Sequence, residues 1–363
     1  MSIRKIDFVL LLDFVRRERV YFLAILLCLL ITFILSGESQ PPVEPPASAA
    51  LQQLEARADR WNQSEKDVAV LVRYFETNPV PVIAWLGTMA VFSALFLSGC
   101  LIVILRWSSL SVRNYFTQKA EPFHPVYFSG TCLFRVGALT YVSLVLTMLV
   151  SGVLSETGLM NENGLGITQT LLLDGLVCFS IFAVIREFGI SWKSFMGEKP
   201  KSIWAEIVRG LAEYASFFPW FILSMVALLA AAAFFNYEPP THPLIEVFLE
   251  EEKGSPWIFY GAILLAAIIA PVLEEIFFRG FIYRFLKGVC GIGYAVVFSA
   301  GFFAALHGYW FTLLPIFILG VVLARLYEKR GSFIACWTFH VLHNILFTVY
   351  FFSAKAMLEA FHG

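Results

Sequence analysis

The chain has 363 residues, 59% of them hydrophobic and only 15% charged, with a mean hydropathy of +0.75. Soluble domains run at about 45–50% apolar and about 25% charged, so the composition excludes an ordinary soluble domain and points to a polytopic membrane protein. A formal net charge of −1 argues against a nucleic-acid partner, and the six cysteines form no CxxC or Cys/His cluster, so neither a disulfide framework nor a zinc finger is indicated.

Residues 1–36 form a basic segment and a first span. Arg4, Lys5, Arg16, Arg17 and Arg19 precede the apolar run Val20 to Ser36. Ala47-Ser48-Ala49 resembles a signal-peptide cleavage site but lies too far beyond the run, so the run reads as an anchor. Residues 37–80 are the one long polar segment. It opens with the Pro-rich stretch Gln40 to Pro46, which reads as extended or disordered. Leu51, Leu54, Ala58, Trp61, Val68 and Phe75 then recur at helical spacing. That pattern predicts one amphipathic helix lying on the membrane or on its own bundle. A lid or partner-binding arm is the functional alternative.

Residues 81–256 supply further spans, 257–352 hold the chemistry, and 353–363 form a tail. Apolar runs occur at 20–36, 81–105, 127–155, 167–185, 217–235, 257–286, 291–307, 309–324 and 332–352. Each approaches the roughly 17 residues a span needs. The predicted fold is therefore all-α, a polytopic transmembrane helical bundle of about 8–9 spans. The short 291–307 and 309–324 runs suggest a tight hairpin.

Loop charge sets the orientation. With the N-terminus inside, segments 1–19, 106–124, 186–216, 279–290 and 325–331 hold 19 of the 26 Lys and Arg residues. The outer segments hold 6, and Arg135 within a span is the last. This predicts an integral protein of the cell membrane with a cytoplasmic N-terminus. Arg135 and Asp174, inside apolar runs, read as an interhelical pair or as snorkelling side chains. Glu250, Glu251 and Glu252 read as a solvated acidic face.

The chemistry concentrates in Pro271-Val-Leu-Glu-Glu-Ile-Phe-Phe-Arg279. Glu274 and Glu275 stand inside an apolar run, where ionisable groups are costly and face protein or a wet cavity. Glu275 and Arg279 have the i,i+4 spacing of an ion pair on one helix face. Downstream apolar helices carry Phe303 with His307, and His340 with Asn344. Peptide hydrolysis needs a base to activate water and donors to hold the oxyanion. Glu274, His307, His340 and Asn344 match that set. No serine or cysteine has a comparable context with a partner. Glu and His also suit zinc, but there is no His-Glu-x-x-His motif. His343 reads as packing, and His124, His242 and His362 receive no role.

Glu274-Glu275-x-x-x-Arg279, Phe303-x-x-x-His307 and His340-x-x-x-Asn344 together resemble the three-motif pattern of the CPBP family. That family contains the type II CAAX prenyl proteases, bacteriocin-processing and immunity proteins and lysostaphin-resistance-like proteins. The resemblance covers roughly 257–352. It implies an intramembrane endopeptidase acting on a membrane-associated protein or peptide. By carry-over Glu274 and His307 activate the water, His340 and Asn344 stabilise the oxyanion, and Glu275 and Arg279 shape the site. The family carries both a metalloprotease label and a metal-free, glutamate-dependent mechanism. Two cofactor readings therefore stand: none, or a divalent metal such as zinc on Glu274, His307 and His340. A non-catalytic immunity or regulatory scaffold is the alternative function, and an ion or solute transporter a weaker one.

Depth offers a check. At about 1.5 Å per residue, Glu274 and His340 lie roughly 15 and 12 Å from the cytoplasmic side, whereas His307 lies roughly 24 Å from Gly291. The third value requires either a tilted helix or a non-helical lead-in at Gly291 to Tyr294.

Overall fold

Every apolar run becomes helix, as backbone in lipid must satisfy its own polar groups. The computed structural model describes residues 8–36, 49–64, 68–118, 127–196, 202–239, 243–308 and 310–360, and among these there is no strand. In chain order the first helices are α1 Phe8–Arg17, α2 Arg19–Ser36, α3 Ala49–Ser64, α4 Val68–Thr77, α5 Pro79–Ser108, α6 Leu110–Thr117, α7 Gly130–Thr157 and α8 Glu162–Glu187. Then come α9 Trp192–Met196, α10 Ile203–Phe234, α11 Pro243–Glu251, α12 Pro256–Leu264, α13 Ala270–Glu275, α14 Arg284–Leu306, α15 Leu313–Arg330 and α16 Phe333–Ala360. The starts follow local chemistry. Ser129, Asn161 and Ser202 each accept from the backbone N–H three residues on, at 3.2, 2.9 and 3.2 Å.

Six helices among the described residues are long and apolar enough to cross a membrane. One of them, Pro256–Leu306, is broken at Gly291, whose φ of 80° is open to glycine. Of the other expected spans, α2 is a shorter apolar helix, and α15, charged at its end, falls outside this set. Large apolar side chains cover the outside, among them Val80, Ile83, Leu97 and Ile104, each more than 60% exposed. A surface this apolar belongs in lipid, so the chain is an integral membrane protein.

The chain divides into two compact units. The first takes residues 1–45 and 128–192, where α7 packs on α8 and on α2. Its polar centre is Arg135, which binds Glu18 at 2.7 Å and Glu187 at 2.5 Å. The expected interhelical pairing of Arg135 is thus found.

The second unit takes residues 46–127 and 193–363. Its frame is α10 against α5 and α16, with α14 folded back along α15. The expected 291–307/309–324 hairpin is this α14–α15 pair. The single amphipathic helix is corrected to two, α3 and α4, with 65–67 outside the described residues. Both rest on the bundle. Trp61 and Tyr74 rings meet at 5.4 Å, and Tyr74 donates to the Met357 carbonyl at 2.5 Å. The acidic triplet is not a solvated face. Glu251 is buried and accepts from Ser255 N–H at 3.1 Å, and Glu252 pairs with buried Lys355. None of the six cysteines is in a disulfide. The Pro-rich stretch Gln40 to Pro46 and residues His124, His242 and His362 lie outside the described residues.

Candidate active site

The site is built around a proline. Pro271 has no N–H to give to the helix ladder. The turn before it is widened: Leu265–Ile269 is π-helical, α13 with both glutamates follows, and a second π-helical segment, Ile276–Tyr283, lies beyond. Ala270 N–H reaches back five residues to the Leu265 carbonyl. The next carbonyl in that register is Ala266, whose donor would be Pro271. Asn344 fills the gap, its Nδ2 donating to the Ala266 carbonyl at 2.8 Å. Trp337 Nε1 donates to the Val272 carbonyl at 3.1 Å. Both belong to α16, so α16 is fastened to the wide turns beside Glu274 and Glu275. Single π turns inside α-helices recur at functional sites.

The adjacent glutamates have different surroundings. Glu275 is fully buried, and its Oε1 takes both Arg279 Nη1 at 3.0 Å and His340 Nδ1 at 2.8 Å. Its Oε2 is buried with no hydrogen-bond partner among the described residues. Arg279 continues to the Gly320 carbonyl at 3.3 Å and lies 4.7 Å over the Phe303 ring. Glu274 keeps 26% of its side chain exposed, with Oε2 3.7 Å from His340 Nε2. That exceeds hydrogen-bond reach, yet both atoms can contact a third placed between and beside them.

Phe303 is the hub. Its ring lies 4.9 Å from Phe278, 5.7 Å from His340 and 4.6 Å from His307. Gly320 lets α15 approach here, because a Cβ would come within 3.0 Å of Ala300 and 3.3 Å of Phe303. His307 Nδ1 meets the Phe303 carbonyl at 2.8 Å. The carbonyl accepts, so Nδ1 carries the proton and a neutral ring leaves Nε2 as acceptor. The expected non-helical lead-in at Gly291 to Tyr294 is reduced to Gly291 alone, with helix resuming at Ile292, so it does not remove the greater depth of His307.

The structure therefore joins Glu274, Glu275, Arg279 and His340 in one polar cluster. His307 adjoins it across Phe303, with no hydrogen bond to Glu274 or His340 among the described residues. Asn344, one turn beyond His340, is engaged with the backbone. Among the described residues no three His, Cys, Asp or Glu side chains converge as metal ligands. The set Glu274, His307 and His340 thus does not fit a metal as placed. His343 packs against Phe221 and Phe347 with Tyr214 3.4 Å from its Nδ1, as a core histidine would. The sequence reading missed Trp337, Phe278 and Gly320. Pro271 was the available signal, since a proline deep in an apolar helix demands an outside donor.

Residues 256–346 match the family model described as Type II CAAX prenyl endopeptidase Rce1-like. The matched segment holds all six residues singled out above, and it is similar to that family of membrane proteases, as the three motifs led one to expect. No curated protein and no solved structure matches the chain.

Proposed function

We propose that this protein is a glutamate-dependent intramembrane endopeptidase, with Glu274 as the base. The observation that carries the reading is the division of labour between neighbours. Glu275 is consumed by Arg279 and His340, whereas Glu274 is partly exposed and faces the free nitrogen of His340. Glu274 takes a proton from water, and the hydroxide adds to the scissile carbonyl carbon. The free Nε2 of His307 accepts from the same water. The oxyanion is held by Nε2–H of His340 and by the second N–H of the Asn344 amide. Glu275 fixes the His340 ring from behind, through Nδ1. The proton then passes from Glu274 to the leaving nitrogen as the C–N bond breaks. The products are a carboxylic acid and an amine. The match at 256–346 supports a membrane-tethered substrate, with a prenylated C-terminal peptide as the first candidate. The loop-charge asymmetry supports a cell-membrane protein with a cytoplasmic N-terminus and a cut near the cytoplasmic leaflet.

The test uses purified protein in liposomes with a farnesylated C-terminal peptide and an unprenylated membrane-tethered reporter. Glu274→Gln keeps size and hydrogen bonding and should lower turnover by about 10²–10⁴-fold. Near wild-type turnover in that variant refutes the assignment. Wild-type turnover should survive a chelator; loss that zinc restores replaces the metal-free reading. Failure of the wild type on both substrates favours the scaffold.

A further inference from the structure

A second polar feature lies apart from the glutamate cluster and shares no residue with it. A cavity of about 390 Å³ opens between α5, α10 and α15. One end is cationic, lined by Arg106, Arg325 and Lys329 around the single carboxylate of Glu213. Glu213 is buried and already shared by Arg106 at 3.5 Å, Arg209 at 3.2 Å and Lys329 at 3.8 Å. Arg325 is exposed and has no hydrogen bond or ion pair among the described residues. The end therefore keeps surplus positive charge that the protein does not neutralise.

The other end is apolar, lined by Val103, Phe217, Trp220, Ile318 and Val322. The two ends follow one helix face. On α15, Ile318, Val322, Arg325 and Lys329 succeed each other at i+4, i+3 and i+4, apolar first and cationic last. That stripe runs about 16 Å along the axis. On α10 the order reverses with the chain direction, from Glu213 and Ser216 to Phe217 and Trp220. Beside the cationic end stands Trp107, next to Arg106 in sequence and 88% exposed. Exposed tryptophans mark the level of the lipid headgroups. Basic pockets between spanning helices suit anionic headgroups.

We infer that this cavity binds an anionic phospholipid, its phosphate among Arg106, Arg325 and Lys329 and the start of an acyl chain along Phe217, Ile318 and Val322. A free phosphate would satisfy the cations and leave the apolar half unfilled. A zwitterionic lipid would bring a second cation to a site with cations in excess.

The experiment uses the full chain in detergent, titrated with short-chain phosphatidylglycerol, short-chain phosphatidylcholine or inorganic phosphate, and reads unfolding temperature. Native mass spectrometry of protein taken from mixed-lipid nanodiscs reads retained lipid. Phosphatidylglycerol should stabilise the wild type and be retained; phosphatidylcholine and phosphate should do neither. Removing one cation near a headgroup should weaken binding about 5-fold in Arg325→Ala, and reversing it about 30-fold in Arg325→Glu. Arg325 has no partner to lose among the described residues, so these variants should fold. Ile318→Trp fills the apolar limb and should also weaken binding, which a headgroup-only site would not show. Arg113→Glu, an exposed cation of α6 outside the cavity, is the charge-matched control and should bind as wild type. Equal stabilisation by both lipids, wild-type affinity in Arg325→Glu, or an effect of Arg113→Glu as large as that of Arg325→Glu overturns the proposal. Phosphate acting as well as the lipid overturns it in favour of a soluble anion.

Discussion

The glutamate–arginine pair beneath the site makes a quantitative test of the packing argument. Glu275 Oε1 receives Arg279 at 3.0 Å and His340 at 2.8 Å, and all three side chains are at least 98% buried. Glu275→Leu strands the Arg279 cation in a dry site, and losing one partner of a buried pair costs about 3–5 kcal/mol. Arg279 retains the Gly320 carbonyl and the Phe303 ring. A cation over a desolvated ring gains about 0.5–2 kcal/mol, which places the loss near the lower bound. Arg279→Met strands the carboxylate instead and should cost about the same. The double variant removes both charges. What remains is His340 Nδ1 without its acceptor, a loss of about 1–3 kcal/mol. The double variant should therefore be more stable than either single one. The assay is reversible unfolding in mixed micelles of dodecyl sulfate and maltoside, followed by tryptophan fluorescence. Additivity of the two single losses within about 0.5 kcal/mol would refute the coupling.

Four further outcomes follow from the same packing. Asn344→Ala leaves the Ala266 carbonyl bare and should destabilise by about 1–3 kcal/mol, measured in the same micelle assay. Trp337→Phe should cost only about 0.5–1.5 kcal/mol, because Val272 O also accepts from Ile276 N–H. Gly320→Ala forces a methyl within 3.0 Å of Ala300 and should destabilise by overpacking, about 1–3 kcal/mol; wild-type stability would show that α14 and α15 can part freely. Arg135, by hydrogen bond, holds the Glu18 carboxyl below the usual carboxylate range against the opposing effect of burial. A depressed folded pKa means stability present above the unfolded value and lost as pH falls through the folded one. Acid unfolding should thus steepen below about pH 4.3, and Glu18→Gln should flatten that limb.

Spans were legible because lipid leaves the backbone one choice. All nine apolar runs are helical over most of their described residues, and the α14–α15 hairpin was visible in the short link between two runs. The polar parts were harder. One amphipathic stripe was read through Asn62-Gln-Ser-Glu-Lys-Asp67, which holds no apolar residue to carry it. α3 runs into that stretch as far as Ser64, and α4 begins just after it at Val68. Glu251 was read as solvated because three consecutive acids usually are. Only the fold brings the start of α12 back onto it, where the Ser255 N–H needs an acceptor. Glu18 follows the same logic, since nothing local to it announces Arg135.

Within the site, the Glu275–Arg279 pair was legible from spacing alone. What spacing could not give was the destination of His340 Nδ1, because that depends on where α16 crosses α13. The crossing has a local cause. Pro271 removes one donor from a helix in an apolar setting, and the Ala266 carbonyl must be satisfied from outside. Asn344 does this, and His340 lies one turn earlier on the same face of α16. Satisfying the carbonyl therefore also sets the depth of His340, bringing Nδ1 onto Glu275 and Nε2 towards Glu274. The amide that would stabilise an oxyanion is thus the amide that anchors the helix. Its loss should lower stability and turnover together, whereas loss of Glu274 should lower turnover alone.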